Sequence, residues 1–79
     1  MTPPSRRQRD VLLSIAGFVQ ANHYPPSLAE LCTLTGVRSR STIFGHIEGL
    51  VTKGFLRKTP HRARSYELTM HGYLLLPPP

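Results

Sequence analysis

Two helix starts of the same type, followed by a glycine stop, constrain this chain more than any other feature. Ser5-Arg6-Arg7-Gln8 and Ser27-Leu28-Ala29-Glu30 each place a serine three residues ahead of Gln or Glu. In such a capping box the serine oxygen and the third side chain satisfy the free N–H groups at a helix start. Behind the first box, Val11, Leu12, Ile15, Phe18 and Val19 recur at helical spacing, which predicts a helix ending at Asn22. His23-Tyr24-Pro25-Pro26 follows, and its prolines push the residues ahead of them out of α geometry. Behind the second box, Leu28, Leu31, Cys32 and Thr35 share an inner face with Leu34 on the flank. Gly36 stands where a left-handed C-terminal cap is wanted.

Val37 anchors a short connection in which Ser39 offers itself as the next N-cap. A third helix is predicted from about Arg40 to Lys53, with Ile43, Ile47, Leu50 and Val51 inward and Gly54 as its stop. Residues 55–58 and 65–68 read as two short strands joined by the loop 59–64. Thr69 is placed to cap a last turn or two, Met70 to Leu76, before Pro77-Pro78-Pro79. Two helices joined by a glycine-containing turn, then a third helix and a hairpin, predict a mainly α fold with a small antiparallel hairpin. That is a winged helix-turn-helix: three helices plus a two-stranded wing. The expected organisation is an N-terminal tail at 1–4, the domain at 5–68, and a short C-terminal helix with a proline tail at 69–79.

Seventy-nine residues hold one small core, with little room for an enzyme cleft cut through it. Ten Lys and Arg face four Asp and Glu, a net charge of +6, which points to phosphate backbones or anionic membrane surfaces as partners. The longest apolar run, Tyr73 to Leu76, is far short of the roughly 20 residues that span a bilayer. Met1-Thr2-Pro3-Pro4 does not read as a secretory signal, so a cytoplasmic, nucleoid-associated location is expected. A lone cysteine leaves no internal disulfide to form. Cys32 and the dispersed histidines lack zinc spacing, and neither a phosphate loop nor a nucleophile–base–acid set stands out. No cofactor, metal, small-molecule ligand or enzymatic activity is therefore expected.

The cations are grouped. Arg38 and Arg40 flank the start of the third helix, while Lys53, Arg57, Lys58, Arg62 and Arg64 fill its end and the wing. Arg6, Arg7 and Arg9 crowd the start of the first helix, where cations oppose the helix dipole. They read either as a solvated surface or as phosphate contacts; beside a wing, phosphate contact is the better reading of the second group. Projected at about 100° per residue, the third helix shows Ser41, Gly45, Glu48, Gly49 and Thr52 opposite its buried side. Each mid-helix glycine costs about 1 kcal/mol relative to alanine, which either close approach of the backbone to a groove floor or simple tolerance in a helix stabilised by tertiary packing would account for. Ser41 and Thr42 sit where a recognition helix reaches bases or phosphates. Glu48 either accepts from a cytosine amino group or is simply solvated. Phe44, on the border of the faces, either meets a thymine methyl or covers the core edge, with the core edge preferred. His46 lies near the opposite border, within reach of a phosphate.

Arg7-Gln8-x-x-Val11, Tyr24-Pro25-Pro26-Ser27-x-x-Glu30-Leu31, Gly36-Val37, Ser39-x-Ser41-Thr42-Ile43, His46-Ile47, Leu50 and Lys53-Gly54 together resemble the N-terminal DNA-binding domain of LexA-type repressors. The resemblance runs without gaps from about Ser5 to Leu68. It implies a third helix docked in the major groove, Ser39, Ser41 and Thr42 touching backbone or bases, and Lys53 on a phosphate. Phe44 and Gly45 depart from the polar or charged readers of that family, so the family's operator sequence does not carry over to this chain by the resemblance. LexA repressors also carry a second, dimerising domain that cleaves itself through a serine–lysine pair, and these residues do not supply it. The chain thus reads as a domain cut from a longer repressor or as a small stand-alone regulator. Tyr66-Glu67-Leu68-Thr69-x-x-Gly72-Tyr73 is similar to the post-wing segment of MarR-type winged helices, where the following helix helps form a dimer.

The expected function is therefore sequence-specific binding of double-stranded DNA by a transcriptional repressor, as a homodimer on a palindromic site. The competing expectation is a winged-helix protein-interaction module that modulates another regulator, with Leu34, Phe44 and the terminal leucines in contact. Binding to structured RNA is a third.

Overall fold

A computed structural model describes residues 2–58 and 66–75. Both capping boxes form. Ser5 Oγ accepts from Gln8 N at 3.2 Å while Ser5 N donates to Gln8 Oε1 at 2.9 Å, opening α1, Arg6–Asn22. Ser27 and Glu30 repeat the exchange at 3.1 and 2.8 Å to open α2, Leu28–Thr35. Ser39 Oγ accepts from Thr42 N at 3.3 Å at the head of α3, Arg40–Thr52. The stops also follow the chain's chemistry. Gly36 caps α2 at φ 77°, a left-handed geometry that glycine adopts without steric cost. The α1 stop was not anticipated in kind: His23 takes the left-handed position at φ 65°. Edge-to-face packing of Phe18 on Tyr24, centroids 5.4 Å apart, brackets that turn.

After α3, Lys53 and Gly54 turn the chain, and Phe55 N donates to Leu50 O at 2.9 Å. The antiparallel strands β1, Leu56–Lys58, and β2, Tyr66–Leu68, pair Leu56 with Leu68, Arg57 with Glu67 and Lys58 with Tyr66. β1 is one residue shorter than the span 55–58 expected of it, because Phe55 closes the corner: its N–H serves Leu50 and its carbonyl accepts from Thr69 N. The expected start of β2 at 65 lies outside the described residues. The last helix, α4, is Met70–Leu74, with Thr69 as its cap; its expected end at Leu76 lies outside the described residues. Thr69 Oγ1 also donates to Gly54 O at 2.5 Å, so one side chain ties α4 to the corner where α3 gives way to the wing.

Val11, Leu12 and Ile15 of α1, Leu31 of α2 and Ile43, Ile47 and Leu50 of α3 meet in one core with Phe55, Leu56 and Tyr66. Val19, Leu28, Cys32, Val37, Val51 and Leu68 pack around it, half-buried. Cys32 is thus at the margin of the core rather than fully enclosed. The Tyr66 hydroxyl donates to the Pro26 carbonyl, joining the wing to the turn ahead of α2. The first two helices and the wing fix α3 from behind, leaving its other side to solvent.

Candidate nucleic-acid interface

On the outward side of α3, Arg40, Ser41, Thr42, Phe44, Gly45 and Thr52 are all exposed, and Arg38 and Ser39 are exposed just ahead of it. His46 is half-buried. Phe44, for which the core edge was preferred from sequence, is neither in the buried core nor among the hydrophobic residues packed against it. It is 49% exposed, because Ile43, Ile47 and Leu50 already complete the inner stripe. The structure separates the two glycines. A Cβ on Gly45 would meet open space, whereas one on Gly49 would run into the amide end of Gln8. A side chain at Gly49 would have to displace the Gln8 amide, whose oxygen accepts from Ser5 N and Lys53 Nζ, whereas one at Gly45 displaces nothing, so the groove-floor argument rests best on Gly45.

The cations divide into two kinds. Arg6, Arg7, Arg9, Arg38 and Arg40 are exposed and make no ion pair among the described residues. Lys53, Arg57 and Lys58 are engaged within the protein. Lys53 Nζ donates to Gln8 Oε1 at 2.6 Å and to Pro3 O at 3.1 Å, binding the end of α3 to the start of α1. An ammonium has a third proton to give, so this tether leaves room for one more acceptor. Arg57 pairs with Glu67 across the two strands, with both side chains at least half exposed. Opening such a surface pair costs about 0–1 kcal/mol, little against a phosphate contact. Arg62 and Arg64 lie outside the described residues.

Glu48 is the instructive exception. Sequence projection sets it among the groove-facing residues. The structure makes it half-buried with its Oε1 shut off from water and Lys58 Nζ 2.6 Å away. This is a charge contact rather than an aligned hydrogen bond, and it joins α3 to β1. Glu48 is thus turned toward the wing, and its negative charge is offset where it would otherwise repel a polyanion. No spacing rule finds this pair, because its partners come from different elements. The same is true of Lys53 with Pro3 and of Tyr66 with Pro26.

Exposed arginines at the head of a helix whose outer side is uncovered form an arrangement suited to anions along the backbone and to base edges between them. Comparison with known sequences bears on the same residues. The family described as the LexA DNA binding domain matches residues 1–65. The chain belongs to the LexA DNA-binding domain family. Among its relatives, a LexA repressor of Ligilactobacillus salivarius (strain UCC118) is 37% identical over 76 residues, covering 96% of this chain and 37% of the relative. The LexA repressor of Bacillus subtilis (strain 168) is 41% identical over 68 residues, covering 86% and 33%. That of Limosilactobacillus fermentum (strain NBRC 3956 / LMG 18251) is 40% identical over 72 residues, covering 91% and 35%. The chain spans about a third of the length of these LexA relatives. Among the described residues, no helix is long and apolar enough to cross a membrane, and no cluster of His, Cys, Asp or Glu is arranged to hold a metal ion.

Proposed function

We propose that this LexA-type domain binds duplex DNA sequence-specifically and represses transcription, without chemistry of its own. One observation carries the reading: the outer side of α3 is uncovered, and Arg38 and Arg40 at its leading end make no ion pair among the described residues. In this arrangement α3 enters the major groove, and Ser41, Thr42, Phe44 and Gly45 approach the bases. Arg38, Arg40 and the basic residues of α1 and the wing contact phosphates. Ser39 serves first as the α3 cap, which sets the entry angle of that helix. Two copies on a palindrome raise a modest half-site affinity by avidity. The exposed Met70, Tyr73 and Leu74 of α4 are the apolar surface on which those copies meet. Membership of the family and relatives named as LexA repressors support the reading.

The test is a titration of the purified chain with random-sequence duplex at several salt concentrations, then selection from a randomised pool. Steep salt dependence with an enriched palindrome is the expected result. Arg38→Ala and Arg40→Ala should each weaken binding to all sequences alike and reduce the salt slope by about 1. Binding no tighter than that of an arbitrary basic protein, with nothing enriched, refutes the proposal. It would favour instead a protein-interaction role, for which the exposed Leu34 and Phe44 are the observation to follow.

A further inference from the structure

We propose that Phe44 is a specificity-determining residue that recognises the 5-methyl group of thymine. The inference rests on the DNA-binding reading above and specifies what one position of α3 reads. Phe44 is unusual among the large hydrophobic residues of α3. Ile43, Ile47 and Leu50 are buried, and Val51 packs against the core, while Phe44 is half exposed, lies outside the core cluster and its packed margin, and has no aromatic partner among the described residues. Its neighbours at i−4 and i+4 are Arg40 and Glu48, so the three side chains lie along one line of the helix surface. Arg40 makes no ion pair among the described residues and can hold a phosphate, and Glu48 is already neutralised by Lys58. Neither hydrogen-bonds the ring, and neither repels the duplex. On the other side stands Gly45, where a Cβ would meet nothing. The helix is therefore at its thinnest beside its one exposed aromatic ring. A groove wall can come close there and bring an apolar ring against an apolar atom.

In the major groove the only apolar group that a base edge presents is the methyl of thymine, and phenylalanine is one of the side chains that can meet it. Phe44 has no polar atom and cannot distinguish donors from acceptors. What it can distinguish is a methyl from a hydrogen. A selected site should accordingly hold thymine at one position per half-site that depends on the methyl itself and not on the base's hydrogen-bonding edge.

The experiment uses the full chain and the site obtained by selection, with each thymine replaced in turn by deoxyuridine. Loss of one buried methyl should weaken binding about 4-fold at one position per half-site, and by much less elsewhere. Phe44→Ala should bind the thymine site more weakly and no longer distinguish deoxyuridine at that position, whereas Phe44→Leu should still distinguish it. Because the ring is outside the core, both variants should keep their circular dichroism spectrum and melting temperature. The proposal is overturned if no thymine is methyl-dependent, or if Phe44→Ala retains the full methyl preference. Unaltered site affinity in Phe44→Ala also overturns it, and would assign the ring to a protein partner. If the wild-type chain selects no sequence at all, the DNA-binding reading has failed with it, which is a different and recognisable result.

Discussion

Gly45 and Gly49 offer the sharpest test of how α3 is held, because they lie four residues apart on one helix and differ only in what faces them. Replacing a mid-helix glycine by alanine lowers the entropy of the unfolded chain and is worth about 1 kcal/mol. At Gly45 nothing stands within 4 Å of the added carbon, so the full gain should appear. For a domain of this size it corresponds to a rise in melting temperature of about 4–8 °C. At Gly49 the added carbon falls on the Gln8 amide, which must swing away. Gln8 Oε1 accepts from both Ser5 N and Lys53 Nζ, so that movement disturbs the α1 cap and the tether to the end of α3. Losing the two bonds costs about 1–2 kcal/mol in all, enough to cancel or reverse the gain. Urea denaturation followed by circular dichroism should therefore show Gly45→Ala stabilised and Gly49→Ala unchanged or weakened. In a Gln8→Ala background the Gly49→Ala gain should return, as expected for coupled neighbours. Equal stabilisation by both substitutions in the wild-type background would refute the claim that Gln8 is locked against Gly49. Gly45→Ala has a second readout, since its DNA affinity should fall although its fold is firmer.

Three further outcomes follow from the same contacts. Tyr66→Phe leaves the ring in the core but removes its hydroxyl bond to the Pro26 carbonyl, so chemical denaturation should show a loss of about 1–3 kcal/mol. Ser27→Ala removes the side-chain half of the α2 cap and should cost about 1 kcal/mol, with Ser27→Gly costing only a few tenths. Glu48→Gln should release Lys58 from its counter-charge; non-specific duplex affinity should rise, with a steeper salt dependence measured by fluorescence anisotropy.

Much of the fold was legible because it is dictated over short distances. A capping box needs residues three apart, a left-handed stop needs one glycine, and a buried stripe needs the helical repeat. The elements, their order and most of the core residues were therefore readable. The candidate site was legible only at its head. Ser39, Arg38 and Arg40 are adjacent in the chain, so their grouping needs no tertiary information. Phe44 was readable only as a border residue, because whether a position about 100° from the core centre is covered is decided by whether the neighbouring helices leave room for it.

The sequence by itself determined a winged helix-turn-helix with a basic surface, since caps, stops and periodicity act between near neighbours and every one of them agrees with the same architecture. Only the tertiary structure decided which charges remain available. Lys53 is drawn to Pro3 and Gln8, Glu48 to Lys58, and Arg57 to Glu67, while Arg38 and Arg40 stay unpaired among the described residues. It also gave the two glycines of α3 different reasons to lack a side chain, one facing Gln8 and the other facing open space. The cause in each case is the same. Such contacts join residues brought together by packing from different elements, and no local pattern in the chain records which of them will meet.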